Sequence, residues 1–334
     1  MPKRSTLLAA AVLVAALLSP ASASALDPSR PEQWRAVAEH AMDRLQQMDT
    51  GDPQRAWTLA YAAQTIAWLS PEGWQDPVAL AYLDRLHATQ NPDGGYGLGF
   101  AYDAHGDGTT NPATTTYTIT MAGQVGPVLL DAYRAGAVPA SEVQQVLNLL
   151  ASTPRIDTAA GRCISYSRNA NDAKPGLCVH NVNASAAWFM LEAGRDGFPV
   201  VWWLVQGITK RTLSAYNATT RYWPYRDNMT TPQDTDHNAY TAEFVYELAY
   251  PVGYSSAAVM LGNGLDGDPD TALIGARLAG LPAAPTAMDG TTTVWCTSAD
   301  AWIDDVDAYV DWTSEVHKVA SAAYLSMRAS RACA

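Results

Sequence analysis

Hydrophobic positions recur at helical spacing along most of the chain, and the stretches that carry them are of two kinds. Pro31 to Met48 gathers Trp34, Val37, Ala38, Ala41, Met42 and Leu45 on one stripe, with polar residues opposite. After the breaker Asp49-Thr50-Gly51-Asp52-Pro53, Gln54 to Leu69 is apolar nearly all round, the pattern of a helix covered on every side. The alternation continues with an amphipathic segment over 76–90 and a mostly apolar helix from Ala113 to Ala135. Ser141 to Ser152 is a short amphipathic helix, with Ser141 as its N-cap and Glu142 in the first turn. Helices over His180–Ala193 and Val200–Ser214 follow, then a loop-and-helix unit over 221–250 and a short helix near Asp270–Leu278. An acidic loop from Asp300 to Asp311 leads into a last helix from Trp312 to Arg331. Strand-like alternation is confined to brief stretches such as Thr291 to Trp295. Roughly ten helices of alternating character predict two facing rings with the inner one covered on both sides, an all-α, incomplete α/α toroid.

The helices that open behind polar loops share a signature. His180-Asn181-Val182 with Ala186-Ala187-Trp188 can be set against His237-Asn238-Ala239-Tyr240, and His317 to Tyr324 matches the first of these with one gap. The intervals are uneven, 57 and 80 residues, so this is no strict short-period solenoid. A toroid with its irregular loops gathered at one end accommodates such units.

Gln90-Asn91-Pro92-Asp93-Gly94-Gly95-Tyr96-Gly97, followed by Thr114-Thr115-Thr116-Tyr117, resembles the Gly-Gly-aromatic loop and helix start of α/α-toroid proteins. These include terpenoid-cyclase-like folds and several polysaccharide lyases. Tyr96 stands where the cyclase repeat has tryptophan, and the acidic motif of the cyclases is absent. The resemblance implies an architecture, not an activity.

Composition narrows the setting. Lys3 and Arg4, the apolar run Leu7 to Leu18 and the small-residue site Ala23-Ser24-Ala25 read as a secretory signal peptide over 1–25, which leaves 26–334 as one toroid domain. No later stretch approaches ~20 uninterrupted apolar residues, so no membrane span is expected. The chain carries a net charge of -12, which argues against nucleic acid as a partner. Its four cysteines, Cys163, Cys178, Cys296 and Cys333, suggest disulfides in an exported protein. Cys163–Cys178 would close a short loop before His180, and Cys296–Cys333 would pin the C-terminus.

Local charge departs from the global sign. Between Thr158 and Thr230, eight basic residues stand against four acidic ones. Helix starts present unpaired N–H groups, and in a toroid several converge on one cleft. The catalytic candidates are therefore His237, Tyr240, Asn238, His180 and Asn181, and the candidate substrate binders are Trp223, Tyr225, Arg226, Tyr166, Arg168 and Tyr96. Such residues suit β-elimination of a uronic-acid glycan: one group neutralises the carboxylate, another abstracts the α-proton, a third protonates the leaving oxygen. This makes a secreted polysaccharide lyase acting on an extracellular glycan the leading expectation. A glycoside hydrolase is the alternative, with its acid pair drawn from Asp103, Asp107, Asp234, Asp236, Glu243 and the group Asp304, Asp305, Asp307, Asp311 and Glu315. A non-catalytic glycan or peptide binder is the third reading. No metal site or cofactor is expected, although the Asp-rich loops offer the oxygen ligands that suit Ca²⁺.

Overall fold

The computed structural model describes residues 30–48, 55–217, 223–231, 303–312 and 314–332, with the single positions 237, 241, 244, 245 and 248. The expectations for the signal peptide, the helix near Asp270–Leu278, the strand near Thr291, and Asn238, Tyr240, Cys296 and Cys333 lie outside these residues.

The described helices are α1 (Arg30–Met48), α2 (Ala56–Leu69), α3 (Pro77–His87), α4 (Gly126–Arg134), α5 (Ala140–Ser152), α6 (His180–Arg195), α7 (Trp202–Ala215), α8 (Ile303–Trp312) and α9 (Val316–Ala332). Burial sorts them into the two expected classes. Every residue of α2 from Ala56 to Ala67 is buried, and the first eight residues of α6 are enclosed as well. By contrast, α5 buries only Val143, Val146, Leu147, Leu149 and Leu150. Helices α2, α4, α6 and α9 form the inner layer, with α2 and the first half of α6 enclosed on every side, and α1, α3, α5, α7 and α8 form the outer one. Helix α9 packs chiefly on α1 and α2, so the end of the chain returns to its beginning and closes the ring. Trp188 of α6 meets Phe244 with ring centroids 5.1 Å apart, which places position 244 beside α6. The fold is an all-α, α/α toroid.

Several elements differ from expectation for local reasons. Asp76 caps α3, its Oδ1 accepting from Val78 N at 2.7 Å with Pro77 at the first helical position. Ser141 is not a cap, because Pro139 in extended geometry turns the chain into α5 one residue earlier. The helix expected from Ala113 begins at Thr118 and passes through a π-helical turn, Thr120–Val125, before α4. Pro127 has no N–H to return to the Gly123 carbonyl, which removes an α-helical bond at that point. The glycines there also allow close packing: a Cβ on Gly126 would lie 2.4 Å from Met121 O and 2.9 Å from Phe189 Cζ.

Asp300 to Asp311 is not a loop. Residues 303–312 form α8, with Ile303 and Val310 buried and Asp307 and Asp311 on one face, at 2.7 and 3.1 Å from the two ring nitrogens of His40 on α1. The loop from Pro154 to Val179 contains a short antiparallel hairpin, β1 (Arg155–Thr158) and β2 (Gly161–Ile164). A disulfide joins Cys163 on β2 to Cys178 just before α6. Asn183 completes the attachment: its Oδ1 accepts from Ile164 N at 2.8 Å, and its Nδ2 donates to Ile164 O at 3.0 Å.

Candidate active site at the mouth of the ring

Long loops precede two of the inner runs, those that begin at Thr118 and at His180. Both of these starts are crossed by neighbouring loops. Tyr117 N donates to Tyr96 O at 2.9 Å, Thr118 N to Tyr166 O at 3.0 Å, and His180 N to Tyr225 O at 3.2 Å. The Gly-Gly-aromatic loop exists to make the first crossing. A Cβ on Gly95 would lie 2.3 Å from Thr116 Cγ2, and one on Gly97 would lie 2.2 Å from Thr115 O, so only glycine lets the two segments lie together. Tyr96 is buried beneath them and accepts a hydrogen bond at its hydroxyl from Gln90 Nε2 at 3.0 Å.

Rings follow one another around this end. His317 meets Trp57 edge to face at 6.1 Å, and the Arg55 guanidinium lies 5.0 Å from the rings of both Trp57 and Phe100. Phe100 leads to Tyr102 at 6.0 Å, Tyr102 to Tyr117 at 6.5 Å, and Tyr117 to Tyr166 at 5.6 Å. Tyr225 meets His237 at 4.9 Å. Phe100 and Tyr102 are exposed, while Tyr166, Tyr225 and His237 are partly so. Burial raises the Tyr166 hydroxyl well above the ordinary phenol range and pushes Tyr117 up to about 12, so both are protonated at neutral pH.

Below the rings lie two polar clusters. In the first, Arg211 of α7 holds Asp227 with two nitrogens, and His180 Nε2 stands 3.2 Å from Asp227 Oδ1. Burial works to raise Asp227, but its partners His180 and Arg211 outweigh that and hold it below the usual carboxylate value. Burial lowers His180 against the pull of Asp227, leaving a neutral imidazole. In the second cluster, Asp172 Oδ2 accepts from Asn111 Nδ2 at 2.8 Å and Ser167 Oγ at 2.5 Å, and His105 Nε2 lies 3.7 Å from its other oxygen. Arg226 Nη1 donates to His105 O at 3.2 Å.

The residues named from sequence fall into three groups. Tyr166, Tyr225, Arg226 and His237 come together at the mouth. His180 and Asn181 are at the mouth but enclosed, at 0% and 5% exposure, because the Tyr225–Asp227 loop crosses directly over the start of α6. They anchor that loop and do not face solvent. Trp223 and Tyr96 are core residues, not platforms: Trp223 is fully buried and donates from Nε1 to Thr212 O at 2.9 Å. Arg168 is engaged with Asp93 at 3.0 Å, Leu149 O and Ser152. Sequence reading missed His105, Asn111, Tyr117 and Asp172. Tyr117 was visible at the helix start behind the Gly-Gly-aromatic loop, but nothing in the sequence paired it with an acid 55 residues away.

The acidic loop at 103–108 closes on itself. Asp103 accepts from the backbone N–H groups of His105, Asp107 and Gly108, and Asp107 pairs with Lys174 at 2.9 Å. Cys178, His180 and Asp227 are a grouping of metal-ligand type, but Cys178 is bridged to Cys163 and has no thiolate to offer. Among the described residues, no helix is long and apolar enough to cross a membrane.

No protein-family model matches the chain, and the search of curated proteins gives no significant match. Among solved structures, the fold is similar to the α-1,6-mannanase GH76A of Salegentibacter sp. HEL1_6, in an inactive variant with two aspartates changed to asparagine, bound to α-1,6-mannotriose. The TM-score is 0.55 at 11% identity, over 89% of this chain and 99% of that one. The likeness supports the toroid. The two aspartates of that enzyme are consecutive in sequence. The one consecutive pair here, Asp304-Asp305, lies on α8.

Proposed function

We propose that the protein is an exported carbohydrate-active enzyme, a glycoside hydrolase that holds its glycan across the aromatic mouth of the ring. The observation that carries this is the run of rings from His317 and Trp57 through Phe100 and Tyr102 to Tyr225 and His237. Flat, partly exposed rings beside polar groups suit the alternating apolar and hydroxyl faces of sugars. The likeness to a toroidal mannanase adds weight at the level of fold.

Hydrolysis is favoured over the β-elimination expected from sequence. A lyase must set a cation or hydrogen-bond donor against a uronate carboxylate. Arg168 already binds Asp93, Arg226 has one nitrogen on His105 O and its charge is offset by Asp172, and His180 is enclosed. The hydrolytic pair is proposed among Glu315, at the entrance to α9 beside His317, and Asp234 and Asp236, which precede His237 in the chain. Lys318 holds Glu315 below the usual carboxylate value, which fits an ionised base or nucleophile and not a general acid.

A non-catalytic glycan binder is the second reading, and one observation favours it. The described acids of the mouth are engaged: Asp93 with Arg168, Asp107 with Lys174, Asp227 with Arg211, and Glu315 with Lys318. Incubation with neutral and uronate polysaccharides separates the readings. The proposal expects new reducing ends without near-ultraviolet absorbance. An unsaturated, absorbing product would restore the lyase, and retention of glycan without cleavage would leave a binder.

A further inference from the structure

Beneath Tyr102 and Tyr166, four enclosed polar atoms have no hydrogen-bond partner among the described residues: His105 Nδ1 and Nε2, Tyr117 Oη and Arg226 Nε. They belong to one place. His105 stands 3.7 Å from Asp172, Asp172 is bonded to Asn111, Arg226 reaches the His105 carbonyl, and the rings of His105 and Tyr117 both pack on Tyr166. The His105 side chain is only 2% exposed. Enclosed polar groups are nearly always satisfied, so a cluster of orphans marks a position that something else fills.

The chemistry of the orphans says what kind of group fits. Arg226 Nε–H can only donate, a neutral imidazole donates at one nitrogen and accepts at the other, and a phenol does both. The charges of Arg226 and Asp172 offset one another, which disfavours a carboxylate, a phosphate or a cation. Mixed donors and acceptors without net charge are the complement of adjacent sugar hydroxyls. Burial lowers His105 and raises Tyr117, so both keep the neutral forms this requires.

Two aromatic residues over the cluster come from one glycine-bearing segment. Residues 99–110 carry exposed Phe100 and Tyr102, and Gly99, Gly106 and Gly108 take left-handed backbone angles with nothing within 4 Å of where a Cβ would stand. The pairing of Tyr102 with Asn111, at 3.0 and 2.9 Å, ties the two ends of this segment.

We infer that His105, Tyr117, Arg226 and Asp172 form a blind subsite for the hydroxyl groups of a terminal, uncharged sugar, entered from the mouth of the ring. The inference rests on the glycan reading above and specifies its substrate class, a neutral glycan held by one end.

The test is calorimetric titration of the full chain with α-1,6-mannotriose, maltotriose, cellotriose and trigalacturonate. Binding of at least one neutral trisaccharide is expected, weakened tenfold or more in Tyr117→Phe and in His105→Phe. Tyr117→Phe removes a hydroxyl that has Asn111 beside it but makes no hydrogen bond of ordinary geometry, so its melting temperature should change little. If both variants bind as wild type does while Phe100→Ala binds more weakly, the subsite is wrong and the aromatic mouth stands. Binding of trigalacturonate alone overturns the neutral-sugar assignment. If wild type binds none of these probes and none of their parent polysaccharides, the glycan reading fails and takes the subsite with it.

Discussion

The two ends of the ring treat buried polarity in opposite ways. At the closed end, where inner helices turn outward through short connections, Asp131 Oδ2 accepts from Gln64 Nε2, Trp68 Nε1 and Trp74 Nε1 at 3.1, 3.0 and 3.0 Å. One carboxylate thereby ties α4 to α2 and to the turn that follows it and satisfies three donors, while Gln64 Oε1 alone in this knot has no partner among the described residues. At the mouth, His105, Tyr117 and Arg226 carry enclosed atoms with no partner. The first arrangement stabilises the fold, whereas the second costs stability and presents chemistry. An end that leaves polar groups unsatisfied is where a ligand gains most by arriving.

The sharpest way to break this comparison is to cut the closed-end knot. Asp131→Ala leaves three donors without an acceptor and should cost about 4 kcal/mol in urea denaturation, from loss of charge-assisted bonds to one carboxylate. Glycan binding by the protein that remains folded should be unchanged. A loss below about 1 kcal/mol would show that the two ends are not differently built. The next effect is at the mouth but structural. Replacing Cys163 and Cys178 together by alanine frees the hairpin from the start of α6. At a sequence separation of 15, the cost should be about 3 kcal/mol. Reducing agent should lower the wild type by at least this much, and any shift it causes in the double variant reports on Cys296 and Cys333.

How legible this was differs by layer. The alternation of one-sided and all-round helices was readable because the inner ring has no solvent face, so α2 and α6 carry almost no polar stripe. The hairpin was not, because strands of four residues such as Arg155–Thr158 are too short for a period to register. Nor was α8: its acids looked like a solvated loop until His40, some 270 residues earlier, came to lie between Asp307 and Asp311. At the site, aromatic loops and helix-start histidines led to the end of the ring where the starts at Thr118 and His180 lie. They could not separate partly exposed Tyr225 from buried Trp223 two residues earlier, since exposure there is set by which loop crosses which helix start.

A third effect follows from His317, beside Trp57 and facing Arg55, Glu315 and Lys318. Burial, with help from Arg55, lowers it to about 4. The unfolded chain therefore takes up the proton first, near pH 6.5. Stability present above 6.5 is lost as pH falls toward 4. His180 acts in the same direction, and His40, raised by Asp307, acts in the opposite one. Between pH 7 and 4.5 the wild type should lose about 2 kcal/mol more than His317→Gln in urea denaturation. Parallel profiles would mean that the imidazole at the start of α9 is solvated, and that this part of the mouth is more open than the rest.

The smallest effect is the most telling. Tyr117 and Asp131 both belong to the inner run that continues into α4, one at its start and one near its end, and both present oxygen to a polar cluster. Removing the Asp131 carboxylate should be severe because three donors lose their acceptor. Removing the Tyr117 hydroxyl should cost nothing and could raise stability by about 1 kcal/mol, because an unpartnered buried hydroxyl is itself destabilising. The ring of Tyr117 remains in Tyr117→Phe, so its contacts with Tyr102 and Tyr166 are kept. Thermal and urea unfolding of the two variants, measured side by side, test the comparison directly. If Tyr117→Phe loses as much as about 2 kcal/mol, the hydroxyl is satisfied by ordered water that belongs to the fold, and the mouth is as closed a structure as the other end.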